Sequence, residues 1–258
     1  MRNRLKELLD EGATAFGSQL RLGSPAIAEL FGLAGFDFIV IDSEHAPQTP
    51  TGIQSQLQAI GCTKAAPIVR IPSTDPDLIK LYLDMGAMGI LAPFVNTAVE
   101  AERGGKACRY PPRGTRGWGP SRAAGYGLNP EAYTKESDDL VMFIPIIESA
   151  EAVENIDDIL AVETVDTFII GPVDLSISLG VPFQFDHPKY AEAENRILEA
   201  AQRTGKPAGA GAPGSQFDTL PVQEQIAAGI QVILFGGDEP FLSDACRKVI
   251  GEIKKGCG

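Results

Sequence analysis

Short apolar runs alternate with amphipathic stretches along the whole chain. The runs are rich in valine, isoleucine and alanine and have the length of strands that are buried on both faces. The stretches between them, for example residues 25–33 and 77–85, carry apolar side chains at helical spacing. The predicted strands are residues 14–20, 36–41, 66–71, 89–94, 142–147, 167–170, 207–212 and 231–235.

Eight strands, each followed by a helix, predict an α/β protein with the (β/α)8 TIM-barrel fold. The length of 258 residues agrees with the roughly 250 residues that are typical of this fold. The alternative is an open doubly wound sheet, which usually has a glycine-rich phosphate turn after its first strand. Residues 17–20, Gly-Ser-Gln-Leu, do not form such a turn. No internal repeat or linker is visible, so one barrel domain is expected over residues 1–258.

Two segments lie outside the regular alternation. Residues 109–139 form a long connection that is rich in Gly, Pro, Arg and Tyr and contains the only Trp. A connection of this length is usually functional, so we interpret it as an active-site loop, with a subunit-contact loop as the alternative. Residues 241–255 predict a final helix with one apolar face, which packs on its own barrel or on that of a neighbour.

The chain is acidic, with 22 basic and 34 acidic residues and a net charge of −12. This charge disfavours nucleic acid and anionic membranes as partners, because both require a basic face. It also means that an anionic substrate needs a local cation. No apolar run reaches the roughly 20 residues of a membrane span, no signal peptide is recognised, and the four cysteines are scattered. A cytoplasmic location is therefore expected.

Charged side chains follow three of the predicted strands. Asp42, Glu44 and His45 come after the second strand, Glu148 after the fifth and Asp174 after the sixth. In a parallel α/β protein the carboxyl ends of the strands share one edge, where active sites are built. Carboxylates also cap helices after strands, but their presence on three strands together with a histidine favours a functional site.

The pair Glu148 and Asp174 indicates a metal site. The two carboxylates follow adjacent strands, and Mg²⁺ or Mn²⁺ accepts such ligands together with waters. The open positions suit a 2-oxo acid, which chelates through its carboxylate and keto oxygens, and the metal stabilises the enolate. The alternative is a pair of unrelated helix caps.

Two further side chains have candidate roles at the same edge. Arg70 ends the third strand, where a guanidinium suits bidentate binding of a carboxylate, unless it is an ordinary surface arginine. His45 lies beside Asp42 and Glu44, so it can hold or transfer a proton near neutral pH, unless its role is structural.

Other chemistries find no support in the chain. Lys64 and Lys206 precede strands and so lie at the wrong end of the barrel for a Schiff base, and Lys80 falls on a helix. There is neither a serine nucleophile elbow nor a P-loop.

These motifs together resemble the HpcH/HpaI aldolases, metal-dependent pyruvate aldolases with a (β/α)8 barrel. The likeness extends from about residue 17 to residue 242. The segments that carry it are residues 35–47, 69–70, 110–117, 147–149, 171–176 and 235–238.

The resemblance implies a divalent cation, Mg²⁺, Mn²⁺ or Co²⁺, as the cofactor, with Glu148 and Asp174 as its ligands. It implies that Arg70 holds the pyruvate carboxylate and polarises the keto oxygen, and that His45 transfers a proton. The last helix is commonly exchanged between subunits in this family, so a homo-oligomer, a trimer or a hexamer, is expected.

The resemblance also assigns supporting roles. Asp42 and Glu44 would hold metal-bound waters, and Asp84 would pair with His45. Backbone amides near Val173 would contact the 2-oxo acid. The substrate-binding residues implied, besides Arg70, are Glu44, Gly171, Pro172 and Val173.

Some positions depart from the family pattern. Ile146 stands where the family usually has Gln, and Gln19 where it often has Trp or another bulky residue. Residues 118–127 and 209–214 also differ from the usual runs. The metal ligands and Arg70 are unaffected, so the departures concern the acceptor pocket and facial selectivity.

The predicted function is a metal-dependent aldolase that reversibly cleaves a 4-hydroxy-2-oxo acid to pyruvate, or a close 2-oxo acid, and an aldehyde. The alternative is an oxaloacetate decarboxylase that traps the same enolate with another acceptor, similar to macrophomate synthase. A more remote alternative is a barrel that binds a 2-oxo acid without turnover.

Overall fold

A computed structural model describes residues 2–128, 130–212 and 220–256. Its eight parallel strands pair in sequence order, and the last pairs with the first, so the sheet is a closed barrel. This confirms the predicted (β/α)8 fold. The strands are β1 Ala15–Leu20, β2 Phe38–Asp42, β3 Ala66–Arg70, β4 Gly89–Ala92, β5 Met142–Ile147, β6 Phe168–Ile170, β7 Ala208–Ala212 and β8 Ile230–Gly237.

Helices connect the strands and surround the barrel. Many begin at a side-chain cap followed by proline, as at Ser24, Thr49 and Asp75, because the capping oxygen satisfies an otherwise unpaired amide. The helices are α1 Arg4–Asp10, α2 Pro25–Ala34, α3 Pro50–Ile60, α4 Pro76–Asp84, α5 Ala98–Ala107, α6 Pro130–Leu140, α7 Ala150–Glu154, α8 Ile156–Ala161, α9 Pro172–Ser178, α10 Pro188–Thr204, α11 Leu220–Ala227 and α12 Asp238–Gly256.

The strands separate two apolar clusters according to the alternation of their side chains. In β2, Phe38 and Val40 belong to the cluster inside the barrel, which also contains Leu5 of α1. Ile39 and Ile41 belong to the outer cluster between strands and helices. Because successive side chains of a strand point to opposite faces, each strand contributes one row to the interior.

Several element boundaries differ from the prediction. β4 ends at Ala92 rather than at residue 94, because Phe94 has a φ of 49°, which is incompatible with an extended strand. β2 starts at Phe38 and includes Asp42. The connection 109–139 is not irregular throughout, since it contains the 3-10 turn Gly125–Gly127 and most of α6.

The final helix forms as predicted. Phe241 of α12 packs against an aromatic group on its own barrel, with Phe31 at a ring-centroid distance of 5.8 Å and Phe235 at 6.0 Å. The rest of its apolar face is uncovered in the single chain. The exposed apolar side chains are Leu242, Val249, Ile250 and Ile253, each 50–57% accessible.

The lysines lie where the pattern placed them. Lys64 and Lys206 precede β3 and β7, and Lys80 lies in α4. Cys62, Cys108 and Cys246 are free thiols. Cys257 and the end of the small-residue run, Pro213 and Gly214, lie outside the described residues. No helix in the part of the chain that the structure describes is long and apolar enough to cross a membrane.

Candidate active site

The inward-facing rows of the strands deliver polar side chains to the end of the barrel where the strands finish. Asp42 continues the row of Phe38 and Val40 in β2. By the same alternation Arg70 continues the row of Ile68 in β3, and Glu148 the row that runs through β5. Asp42 and Arg70 are also direct partners in the register of β2 with β3. The polar residues therefore converge because each interior row is apolar inside the barrel and continues to a polar residue where the strand ends.

Asp42 is the centre of the hydrogen-bond network. Its carboxylate is completely buried and accepts a bidentate pair of bonds from Arg70, with Nε 3.0 Å from Oδ1. The backbone amides of Glu44 and His45 donate to Oδ1 at 3.0 and 3.1 Å. Gln19 of β1 donates to Oδ2 through its side-chain amide at 2.9 Å.

These bonds determine the charge state of the network. Burial by itself raises the pKa of Asp42, but the hydrogen bonds and positive charge of Arg70, with the two amides, hold it below its ordinary value. For Glu44, burial dominates over the attraction of Arg70 and His45, so its pKa is raised. The network thus favours the charged form of Asp42, the partner of Arg70.

Glu44 and His45 lie at the rim of this network. Glu44 is mostly buried, and its Oε2 lies 3.3 Å from Nε of Arg70 and 3.7 Å from Nε2 of His45. His45 is 58% exposed. An imidazole with one side on a carboxylate and the other open to solvent can accept or donate a proton at the mouth of the barrel.

Glu148 occupies a buried position beside Phe94. The backbone amide of Phe94 donates to Oε1 at 2.8 Å, and this contact coincides with the unusual left-handed backbone of Phe94. Burial raises the pKa of Glu148 to about 7, and the nearby charges of Asp174 and Glu44 add to the rise.

Asp174 lies in the first turn of α9, directly after β6. The backbone at Gly171 can come this close to Glu148 because the residue has no side chain. A Cβ at this position would lie 2.9 Å from both Cβ and Oε2 of Glu148. Gly171, the first residue of the segment to which the resemblance assigns substrate binding, therefore borders Glu148.

The residues fit a divalent cation. Glu148 is a buried carboxylate whose ionised form is disfavoured by burial and by two neighbouring carboxylates, Asp174 and Glu44, and a bound cation would reverse this balance. Among residues 2–128, 130–212 and 220–256, no three His, Cys, Asp or Glu side chains form a complete protein cage. An open site of two carboxylates is what Mg²⁺-type ions use when waters and substrate complete the coordination.

Asp84 is not brought to this cluster within one chain. It is the last residue of α4. Four residues later, the backbone amide of Met88 donates to the carbonyl of Pro67, near the start of β3. It therefore lies at the end of the barrel where strands begin, whereas His45 follows the end of β2. Its Oδ1 accepts a bond of 2.7 Å from Arg116.

The structure gives contacts to site residues for three residues to which the sequence analysis assigned no role. Gln19 was noted only as a departure from a family pattern, yet its side chain donates a hydrogen bond to Asp42. Phe94 supplies an amide to Glu148 through a backbone conformation that no motif announces. Arg116 was one arginine of the long loop; a signal for it was its position in the run Tyr-Pro-Pro-Arg-Gly-Thr-Arg-Gly of residues 110–117.

The raised pKa of Glu148 has a consequence for stability. The folded state holds the proton of this carboxyl until about pH 7, while an unperturbed glutamate releases it near 4.5. The metal-free protein therefore loses stability as the pH rises from about 4.5 to 7. Glu148→Gln is expected to be more stable than the wild type at pH 8 in EDTA by on the order of 3 kcal/mol, and this advantage should shrink at pH 5.

Urea unfolding at both pH values measures the difference. Glu151→Gln, an exposed glutamate in α7, is the matched control and should change little at either pH. If Glu148→Gln and Glu151→Gln have the same stability at pH 8, Glu148 is not buried as a charged group.

A closed parallel barrel with carboxylates and an arginine at the carboxyl ends of its strands defines a TIM-barrel enzyme. Comparison with known proteins gives the family. Residues 18–211 match the HpcH/HpaI aldolase/citrate lyase family. The 4-hydroxy-2-oxovalerate aldolase of Rhodococcus jostii (strain RHA1) is 40% identical over 245 residues, which cover 93% of this chain and 92% of that protein.

Solved structures agree. A family member from Burkholderia cenocepacia J2315, described as an HpcH/HpaI aldolase/citrate lyase family protein, has a TM-score of 0.92 and 33% identity, covering 98% of this chain and 100% of that one. Macrophomate synthase has a TM-score of 0.83 and 28% identity, covering 99% and 88%. The chain belongs to the HpcH/HpaI aldolase/citrate lyase family.

Family membership confirms the predicted enzyme class, a carbon–carbon lyase of the pyruvate aldolase type. It removes the most remote alternative, a barrel that binds a 2-oxo acid without turnover. Dependence on a divalent metal is general in the family, and small molecules are its substrates.

Proposed function

We propose that the chain reversibly cleaves a 4-hydroxy-2-oxo acid to pyruvate, or a close 2-oxo acid, and an aldehyde. The observation that carries this proposal is the convergence of Arg70 with Glu148 and Asp174 at one end of the barrel. A cationic group for a carboxylate therefore stands beside a pair of carboxylates suited to a divalent ion.

In this proposal Glu148 and Asp174 hold the cation, Mg²⁺, Mn²⁺ or Co²⁺, while Asp42 and Glu44 hold its waters. When bound, the metal supplies the Lewis acidity that stabilises an enolate. Arg70 is held by Asp42 through Nε and Nη2, and its Nη1 has no hydrogen-bond partner among the described residues. Nη1 is therefore available for the carboxylate or keto oxygen of the 2-oxo acid.

The chain's other residues orient the substrate and move the proton. Gly171, Pro172 and Val173 line the approach to Glu148, with the amide of Val173 at the first turn of α9 as a donor to the 2-oxo acid. His45, open to solvent on one side, takes the proton of the 4-hydroxyl during cleavage and returns it during synthesis.

The predicted pairing of Asp84 with His45 requires a second copy of the chain, because the two residues lie at opposite ends of one barrel. The exposed apolar face of α12 supports self-association, since four large side chains are left uncovered in the single chain. We therefore propose a homo-oligomer in which Asp84 of one copy pairs with His45 of another. The trimeric or hexameric state, helix exchange, the one-domain organisation and a cytoplasmic location stay predictions.

A second candidate function uses the same enolate. Decarboxylation of oxaloacetate generates it without proton abstraction from a hydroxyl, and macrophomate synthase covers nearly the whole barrel in structural comparison. The two reactions share Arg70 and the metal ligands but differ in their need for His45.

The test is a coupled pyruvate-release assay over a panel of 4-hydroxy-2-oxo acids and oxaloacetate. We expect chelation to abolish the release of pyruvate, and Mg²⁺, Mn²⁺ or Co²⁺ to restore it, because the chain has no lysine placed for a Schiff base. Trapping of a covalent adduct by borohydride and pyruvate, with no effect of chelator, would show that the metal mechanism is wrong.

A further inference from the structure

The long loop after α5 buries an arginine in a cage of aromatic rings. The guanidinium carbon of Arg116 lies 4.8 Å from the ring centroid of Tyr110 and 5.4 Å from that of Tyr133. The side chain is completely inaccessible to solvent. Tyr110 and Tyr133 pack edge to face, with ring centroids 6.2 Å apart. Such a cage supplies cation–π attraction but cannot neutralise a full charge.

Arg116 forms an ion pair with one acidic residue, Asp84. Its Nη2 donates to Oδ1 of Asp84 at 2.7 Å and to the hydroxyl of Tyr133 at 2.9 Å. Its Nε and Nη1 are buried and have no hydrogen-bond partner in the part of the chain that the structure describes. Asp84 is the one carboxylate paired with it there. Because a buried charge without its counter-ion is costly, this contact holds the Asp84 carboxylate strongly.

The loop also holds the backbone around Asp84. The amide of Ala123 donates to the carbonyl of Asp84 at 3.0 Å, and Arg122 donates to the carbonyl of the next residue, Met85, at 2.9 Å. The loop can turn back this tightly because Gly114 lies against backbone carbonyls, where a Cβ would come within 2.3 Å. Backbone and side chain of Asp84 are thus fixed by one segment, residues 109–123.

This arrangement leaves one oxygen of Asp84 for an external partner. Oδ2 accepts no hydrogen bond from the described residues, and the side chain is 22% exposed. A carboxylate with one oxygen clamped and the other exposed is oriented toward solvent or toward another molecule. Free rotation of the carboxylate, which would otherwise have to be lost on docking, is already removed.

We propose that Arg116 is a positioning residue for catalysis, which with Tyr110 and Tyr133 orients Asp84 to receive the imidazole of His45 from a second copy of the chain. The inference rests on the proposed function, because it concerns the proton-transfer step of that reaction. Arg116 touches no substrate; it acts through Asp84.

The chain contains a closely matched control. Arg109, in the same loop, is also buried, also has unpaired Nε and Nη1 atoms, and also forms one ion pair, with Nη2 2.8 Å from Oδ2 of Asp166. Arg109 and Arg116 are therefore both buried charges with one ion pair and two unpaired nitrogen atoms. They differ in the acid that each of them holds and in the two tyrosine rings, which contact Arg116.

The experiment compares Arg116→Lys, Tyr133→Phe, Asp84→Asn and Arg109→Lys in the full-length protein. For each variant, kcat and KM are measured for aldol cleavage and for oxaloacetate decarboxylation, and the Tm is measured separately. We expect Arg116→Lys and Asp84→Asn to lower kcat of cleavage by about 10- to 100-fold, with decarboxylation reduced less than threefold. Tyr133→Phe should show a smaller loss of the same kind. Arg109→Lys should lower the Tm without this selectivity.

A double-mutant cycle separates positioning from general stability. If Arg116 acts only through Asp84, Arg116→Lys causes no further loss of cleavage in the Asp84→Asn background. Multiplied losses in the double variant, or equal losses in both reactions, would overturn the inference. So would full cleavage activity in Asp84→Asn. These results leave the proposed function standing, whereas a wild-type protein that releases no pyruvate from any substrate overturns both.

Discussion

Replacing Arg70 with alanine is expected to slow the exchange of the pyruvate methyl protons by about 10²–10³-fold, the usual loss when a preorganised donor to a developing oxyanion is removed. Arg70 is the cation at the end of β3, and its side chain is positioned by two bonds to Asp42. Without it, the enolate oxygen and the substrate carboxylate lose their protein donor. The rate is measured by NMR as deuterium incorporation into pyruvate in the presence of Mg²⁺.

This variant also affects the fold. Asp42 is completely buried, and in the described structure Arg70 is its charged partner, so removal of the guanidinium leaves an uncompensated charge. A loss of about 3–5 kcal/mol is typical of such a change. Stability must therefore be measured alongside exchange.

Arg70→Lys provides the matched comparison. It keeps a positive charge against Asp42 but cannot form the bidentate pair, because an ammonium lacks the planar fork of a guanidinium. We expect it to recover stability more than it recovers exchange. Exchange at the wild-type rate in a folded Arg70→Ala protein would remove Arg70 from the enolisation step.

Replacing His45 with alanine is expected to lower aldol cleavage by about 10²–10⁴-fold, the range contributed by a positioned acid–base group. Oxaloacetate decarboxylation should fall much less, since it requires no proton abstraction from a hydroxyl. The imidazole of His45 is 58% exposed and contacts the network at Glu44, while the bond from the His45 backbone amide to Asp42 is kept in the alanine variant. Its removal should therefore leave the buried Asp42–Arg70 pair intact.

The alternative role for His45 is to support Asp42 and Glu44 around metal-bound waters. In that case cleavage and decarboxylation fall together, and the affinity for the metal falls with them. Both rates are measured at saturating Mg²⁺, and metal affinity is measured separately by calorimetry. Equal losses in the two reactions would exclude His45 as the proton-transfer group. His187, the other histidine, caps α10 and is the control substitution.

The fold was predictable because it depends on local pattern. Each buried strand is a short apolar run whose period and flanking residues can be read directly, and all eight runs form strands. Most errors concern the boundaries of elements. β4 stops at Ala92 because Phe94 adopts a left-handed backbone that bonds its amide to Glu148, a contact with a residue 54 positions away.

The sequence by itself determined which chemical groups reach the end of the barrel, because a charged residue that follows an inward-facing apolar row must emerge where the strand leaves the core. This applies to Asp42, Arg70 and Glu148. Only the tertiary structure decided how these groups are paired: that Asp42 binds Arg70 and Gln19, and that Arg116 holds Asp84 far from His45 in the same chain. Such pairings depend on distances between elements that are remote in sequence, which periodicity does not encode.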